Sequence, residues 1–306
     1  MATSVEVEVE VEGRRLALSN LDKVLYHASG TTKGSVIDYY RRIAPVMLPH
    51  LRRRAPTLVR APDGPDGEVF FEKRCPGHAP DWMKTAHVGR YGSHRGYEAC
   101  LIDELPALVW VANLAALELH THQATVDEPE HPTSLVLDLD PGEPAGLADC
   151  ARVACELRDV LGALGLVVVV KTSGGKGLHL NVPLVGSTAS AEETSSFAKT
   201  LGDLLGQRDP QRVTTAMAKD QRRGKVFVDW SQNARFKTTV APYSLRIRSR
   251  PTVSTPLTWD EVEAVAASEP IGPFELDAVM ERIDELGDLY DANLSRRQQL
   301  PDLGAS

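Results

Sequence analysis

The chain has 306 residues, 42% of them hydrophobic and 25% charged, with 23 glycines and 20 prolines. These are ordinary globular values, which exclude a fibrous, collagenous or wholly disordered chain and suit one large domain or two of ordinary size. The net charge of −8 argues against a nucleic-acid partner until the charge is mapped along the chain.

Residues 13–60 hold 10 basic and 2 acidic groups, and residues 208–250 hold 11 basic and 3 acidic groups. Phosphate-rich ligands respond to local fields, so each block is either a solvated face or a candidate phosphate contact. No run approaches the ~20 apolar residues of a bilayer span, so no membrane partner is expected. The N-terminus has no secretory pattern. The four cysteines (Cys75, Cys100, Cys150, Cys155) are too few for a disulfide scaffold, and a reducing cytoplasm is the expected home.

In chain order, Val5 to Glu12 alternates strictly, as a strand with one charged face or a frayed tail. Asp38 to Leu51 predicts a helix with Tyr39, Ile43, Val46 and Met47 on one side. Residues 61–67 are turn chemistry, and Glu68 to Glu72 reads as a short strand. Residues 87–97 read as a flexible, glycine-rich basic loop. Pro106 opens a predicted helix, with Trp110, Leu114 and Leu117 as its stripe, that runs to about His120. Leu135 to Asp140 is a strand. Leu147 to Leu164 repeats at three and four, a helix closed by Gly165. Leu166 to Lys171 is an apolar, β-branched strand, and residues 173–177 make a glycine-rich turn. Leu178 to Leu184 is a strand, 191–206 a helix, and Val226 to Trp230 a strand. Thr258 and Glu261 form a capping box that opens a mostly acidic helical tail, expected to wrap the rest.

From Leu135 the order is β-α-β-β-α-β. That predicts an α+β fold with an RRM-like (ferredoxin-like) core, its first strand central between the third and fourth. The expected division is 1–132 as an N-terminal α/β module, 133–250 as the catalytic core and 251–306 as a helical wrap, together one domain.

Successive strand residues face opposite ways. Leu135, Leu137 and Leu139 therefore pack on the helices, and Asp138 and Asp140 share the open face. By the same alternation His179 and Asn181 join that face, as do Phe227 and Asp229 if the last strand keeps the register. Adjacent carboxylates repel unless a cation neutralises them, and a divalent ion with oxygen ligands is the natural guest. Solvated strand-end aspartates are the alternative. With Asp229, three carboxylates and a histidine have the layout of two-metal phosphoryl transfer. The turn Ser173 to Gly177 precedes His179, and its N–H groups and Lys176 suit a phosphate, although the spacing is not that of a Walker loop. GxSxG, HExxH and a strand-linked GxGxxG are absent from the sequence. Cys75 and His78 make half a zinc site with no second half, and Cys150 and Cys155 read as helix core.

LVLDLDPG (135–142), TSGGKGLHL (172–180) and KVFVDWSQN (225–233) resemble the three motifs of the polymerase domain of bacterial ligase D. That family belongs to the archaeo-eukaryotic primase superfamily and acts in non-homologous end joining. The likeness continues in LSNLDKVLYHASGTTK (18–33), EVFFEK (68–73), WVANLAALELH (110–120) and KTTVAPYSLR (237–246), and spans about residues 14 to 290. The resemblance implies the primase fold, with two manganese or magnesium ions on Asp138, Asp140 and Asp229 as the catalytic set. It implies an NTP or dNTP held by Arg60, Phe71, His120, Ser173, Lys176, Gly177, His179, Gln232, Lys237 and Arg246. Within that set Ser173 lies near the sugar, Lys176, Arg60 and Arg246 meet the phosphates, and Phe71 stacks on the incoming base.

The resemblance also implies DNA contacts. Lys23 and Lys33 match a pocket for a downstream 5′-phosphate, and Phe70 an aromatic that stacks on the template. Arg90, Arg95, Lys219, Arg222, Arg223 and Lys225 lie in loops that hold the template end and the incoming nucleotide. The implied activity is templated, ribonucleotide-preferring extension across gaps or double-strand breaks bearing a 5′-phosphate. Its setting is the bacterial nucleoid, with Ku and a separate ATP-dependent DNA ligase as partners. Ligase D proteins fuse this domain to a ligase and often a nuclease, so a chain ending at Ser306 is expected to be a stand-alone paralogue or an excised domain. Gly175 departs from the family, where a second serine is common. The rival readings are a primase that starts chains unaided, a non-catalytic RRM-type nucleic-acid-binding module, and a phosphodiesterase or nuclease using the same carboxylates.

Overall fold

A computed structural model describes residues 6–89 and 95–301. The alternating N-terminal run forms β1 (Glu6–Val11), paired with β2 (Arg14–Ser19). A small hairpin of β3 (Val24–Tyr26) and β4 (Thr31–Thr32) leads into α1 (Lys33–Leu51). That helix starts before Asp38 because Thr32 caps it, accepting from Ser35 N at 3.1 Å. β5 (Thr57–Arg60) and β6 (Phe70–Glu72) pair with each other. β7 (Thr85–Val88) and β8 (Tyr97–Cys100) form a hairpin, so His87, Val88 and Tyr97 belong to strands and not to the expected loop.

The predicted helix to His120 is corrected. α2 (Leu105–Asn113) ends early, Ala115 takes φ +55°, and β9 (Ala116–His122) follows. The sequence there has period two: Leu117 and Leu119 enter the core, and Glu118 and His120 face the other way.

The second half runs β10 (Ser134–Pro141), α3 (Leu147–Ala163), β11 (Val169–Thr172), β12 (Leu178–Pro183), α4 (Ala191–Arg208), β13 (Val213–Thr214) and β14 (Val226–Asp229). It continues through β15 (Thr238–Val240), β16 (Pro256–Leu257), α5 (Trp259–Ala266), α6 (Leu276–Leu286) and α7 (Ala292–Ser295). Six strands form one sheet in the order β13-β14-β10-β12-β11-β16, with β10 antiparallel to both neighbours. Leu135, Leu137, Leu139, Leu178, Leu180, Val182, Val226 and Val228 share one core with the apolar faces of α3 and α4. The leucine face therefore packs on the helices, as the alternation requires.

A four-stranded sheet, β15-β9-β5-β6, belongs to the other half, where α1 and α2 pack into a second core. The C-terminal segment makes contacts with the six-stranded sheet. β16 lies against β11 at the sheet edge, Tyr290 Oη donates to Asn181 Oδ1 at 2.5 Å, and Ser134 Oγ donates to Asn293 Oδ1 at 2.9 Å. One expectation fails at the cysteines: Cys75 and Cys100 form a disulfide. His78 packs instead on Trp110, so the half zinc site dissolves. Among the described residues no helix is long and apolar enough to cross a membrane.

Candidate active site

The sheet register assembles the site. Asp138 on β10 stands opposite Asp229 on β14 and opposite His179 on β12. His179 in turn stands opposite Lys171 on β11. Asp229, Asp138, His179 and Lys171 thus form one row across four strands, on the face turned from α3 and α4. Asp140 lies two residues along, opposite Phe227.

This face is not open, as the alternation alone suggested. Asp138 and Asp229 are each 9% exposed and His179 5%. Two members of the row, Asp138 and His179, line a cavity of about 410 Å³ that His120, Thr238, Thr239 and Val240 from β9 and β15 line as well. Asp140, Ser173, Lys176, Gln232, Arg246 and Arg248 also line it.

Burial pushes the Asp138 carboxyl up, but His179, Lys171 and Arg246 outweigh it and hold it below its ordinary value. For Asp140, burial and the charges of Asp138 and Asp229 act together and push it up to about 6. Asp138 Oδ1 is buried, and its 3.2 Å contact with His179 Nε2 falls short of hydrogen-bond geometry. Asp229 is engaged: Oδ1 accepts from Ser231 N and Oγ at 3.0 and 2.6 Å, and Oδ2 accepts from Gln232 Nε2 at 2.8 Å. Among the described residues no three His, Cys, Asp or Glu side chains converge into a ready-made ion site.

A second cluster centres on Glu118, a residue the sequence reading passed over because it placed this stretch in a helix. Glu118 Oε1 accepts from Arg246 Nε at 3.0 Å and Ile247 N at 2.7 Å, and Oε2 is 2.6 Å from His120 Nε2. Burial raises the Glu118 carboxyl, but His120, Arg246 and the Ile247 amide together bring it down to about 2. Arg246 also donates to the Ser173 carbonyl. This carboxylate aims both His120 and Arg246 into the cavity.

The glycine turn behaves differently from the expectation. Gly175 N and Gly177 N both donate to Ser173 Oγ, at 3.2 Å each. Those amides are spent on folding the turn and do not offer a phosphate cradle. Gly177 is required by contact, since a Cβ there would lie 2.0 Å from the Leu139 carbonyl oxygen. Lys176 reaches the cavity wall while paired with Glu143 at 2.6 Å. Arg248, missed at first, joins Arg246 in the lining. The alternation of Arg246, Arg248 and Arg250 was the available signal.

The remaining candidates lie elsewhere. Lys237 lines a neighbouring cavity with His122, and its carbonyl faces His122 Nδ1 at 3.2 Å. Arg60 is tied to Glu72 and the Leu114 carbonyl, and borders an open depression with Phe71. Phe70 and Phe71 are 39% and 71% exposed, so neither is a core residue. Lys23 pairs with Asp63 at 2.6 Å. Lys33 is buried on Ser19, and burial, then Lys23 and Arg60, lower its ammonium to about 8. Arg222 folds back on its own loop, donating to the Ala216 and Met217 carbonyls, with its guanidinium 3.5 Å from the Phe227 ring centroid. Lys219, Arg223 and Arg95 are exposed and Lys225 is half-buried, and none of them lines the cavity. Arg90 lies outside the described residues.

Known proteins resemble this chain over most of its length. A profile of the LigD primase-polymerase domain matches residues 32–290. The multifunctional non-homologous end joining DNA repair protein LigD of Mycobacterium tuberculosis is 44% identical over 286 residues, covering 91% of this chain and 37% of that protein. The bifunctional non-homologous end joining protein LigD of Bacillus subtilis is 32% identical over 273 residues, covering 89% of this chain and 43% of that protein. The chain thus spans well under half the length of these relatives. The solved polymerase domain of Mycobacterium tuberculosis ligase D, in complex with DNA, superposes with a TM-score of 0.85 at 43% identity, covering 93% of this chain and 99% of that one. The match to the family profile, the identities and the shared fold agree, and the chain belongs to the LigD primase-polymerase domain family.

Proposed function

We propose that this chain is a template-directed nucleotidyltransferase that fills short gaps and extends broken ends, with ribonucleotides preferred. The observation that carries the reading is the row of Asp229, Asp138 and His179 on three paired strands, with Asp140 beside it and Arg246 facing it. The strand order β14-β10-β12-β11 supports describing this core as RRM-like.

The donor set fits two divalent ions. It is all carboxylate oxygen, Asp138 Oδ1 is buried with no hydrogen bond made to it, and Asp140 is pushed up by burial and by its neighbours' charge. Asp138, Asp140 and Asp229 would hold the ions, with Asp229 turning from Gln232 to do so. Bound there, manganese or magnesium would activate the attacking 3′-hydroxyl and neutralise charge on the transferred phosphoryl group. The chain's own groups do the rest. Arg246, held by Glu118, and Lys176 supply fixed positive charge for a triphosphate. His179 presents a ring nitrogen beside Asp138. Ser173, Gln232 and His120 shape the space for the sugar, and the exposed Phe71 offers a stacking surface for a base. Lys23 and Lys33 are the candidate 5′-phosphate contacts. Lys219, Arg223, Lys225, Arg90 and Arg95 are candidate strand contacts. A Ku protein and a separate DNA ligase are the proposed partners in the cell.

The test is nucleotide addition on a gapped duplex with a downstream 5′-phosphate and manganese, comparing ATP with dATP. Templated addition that disappears in Asp138→Ala/Asp140→Ala is the expected result. Gap binding without any addition refutes the catalytic reading and favours a binding module.

A further inference from the structure

Lys171 is the fourth member of the cross-strand row, and the polymerase reading gives it no task. It is 2% exposed. Its Nζ lies 3.1 Å from His179 Nδ1 and 2.8 Å from Ser254 Oγ. The Ser254 hydroxyl donates its own hydrogen to the Thr172 carbonyl at 2.8 Å, so toward Lys171 it accepts. Two sides of this small network are therefore fixed by their neighbours.

The third side is fixed across the imidazole. His179 Nε2 lies 3.2 Å from Asp138 Oδ1. A lysine ammonium has hydrogens to give and no acceptor site, so at 3.1 Å it donates to Nδ1, which then carries no hydrogen of its own. The hydrogen therefore belongs on Nε2. Nδ1 is then a bare acceptor, and Lys171 is the donor that meets it.

We propose that Lys171, anchored by Ser254, is a positioning residue for His179: it donates to Nδ1 and so keeps the ring hydrogen on Nε2, toward Asp138 and the reaction cavity. Without that donor the ring is free to invert its tautomer. A bare Nε2 would then repel both Asp138 and any phosphate oxygen brought to the site. Groups that orient a site's ligating or hydrogen-bonding side chains from behind typically account for about 10- to 100-fold in activity. The proposal rests on the polymerase reading for its catalytic consequence but not for the tautomer.

The test uses the full chain labelled with ¹⁵N-histidine, with His179 assigned by the signal lost in His179→Gln. The wild type is expected to show hydrogen on Nε2. Lys171→Met, which keeps the length and removes the donor, is expected to shift His179 toward the Nδ1-protonated form. It is also expected to lower kcat for nucleotide addition by roughly 10- to 100-fold, with gap binding retained. Ser254→Ala should move both readouts the same way by less, and it carries the test if Lys171→Met fails to fold. A wild-type ring protonated on Nδ1 overturns the proposal. So does a Lys171→Met protein with unchanged tautomer, or one with a shifted tautomer and a full rate. A wild type that adds no nucleotide defeats the polymerase reading alone, and the tautomer then decides on Lys171.

Discussion

Replacing Glu118 by glutamine separates charge from shape at the hub of the site. The side chain is 7% exposed and meets Arg246, His120 and the Ile247 amide. Its carboxyl falls from an ordinary 4.5 to about 2 despite burial. At about 1.4 kcal/mol for each tenfold change in acidity, that difference corresponds to about 3 kcal/mol of folding stability at neutral pH. Loss of one partner from a buried ion pair independently gives about 3–5 kcal/mol. Because the folded value is the lower one, the stabilisation is full above 4.5 and is lost as pH falls toward about 2. Urea unfolding of the wild type and Glu118→Gln across this range is the assay. The two proteins should differ by about 3 kcal/mol at neutral pH and converge as the solution is acidified. Nucleotide addition by the variant should fall as well, since Arg246 loses its anchor. A difference within the ~0.5 kcal/mol of a neutral surface change, or one that does not shrink in acid, would refute the assignment of Glu118 as the organising charge.

Three further outcomes are expected. If Lys33 holds the downstream 5′-phosphate, the rate advantage of 5′-phosphate over 5′-hydroxyl gaps should be full below about 8, the value set by its burial, and should decline as pH rises through it. Lys33→Met should show no advantage at any pH, and a flat wild-type profile would sink the assignment. Phe71 is 71% exposed, so Phe71→Ala should leave melting unchanged while weakening nucleotide binding by about 1–3 kcal/mol, read as KM. Gly177→Ala places a Cβ 2.0 Å from the Leu139 carbonyl oxygen and must push the turn off β10. Its kcat should drop by about 100-fold, the scale of an ångström-sized misplacement, and a full rate would show that the turn's position is immaterial.

The cross-strand row of Asp229, Asp138 and His179 was legible in the sequence because strand alternation is local. Leu135, Leu137 and Leu139 against Asp138 and Asp140 needs no knowledge of distant contacts, and the motif order named the neighbours. What was lost depended on cross-sheet geometry. Glu118 was hidden, and the strand that carries it and His120 was misread, because apolar spacing around Trp110, Leu114 and Leu117 imitates a helix, and the break at Ala115 leaves no proline or glycine as a sign. Lys171 passed as the end of an apolar strand, although it is the one charge in its segment and falls on the aspartate side by alternation. The phosphate-cradle reading of the glycine turn failed because the Ser173 hydroxyl takes the amides first. The disulfide joins two cysteines 25 residues apart, and spacing alone gives no reason to pair them.

The two residues of β16 have a bearing on how the protein keeps to itself. β11 continues an apolar, β-branched stretch, residues 167–170, in which Val167 is 38% exposed. Left uncovered, its free edge would be a template for another chain's strand, the usual seed of aggregation. β16 occupies that edge with Pro256 opposite Lys171. A proline has no N–H to extend a ladder, and its carbonyl is already taken by Arg282 at 3.2 Å. The sheet is therefore closed to further strand addition at Pro256, on the edge beyond Lys171. Disturbing Pro256 or Arg282 should show first as precipitation during concentration, before the aspartates lose their register.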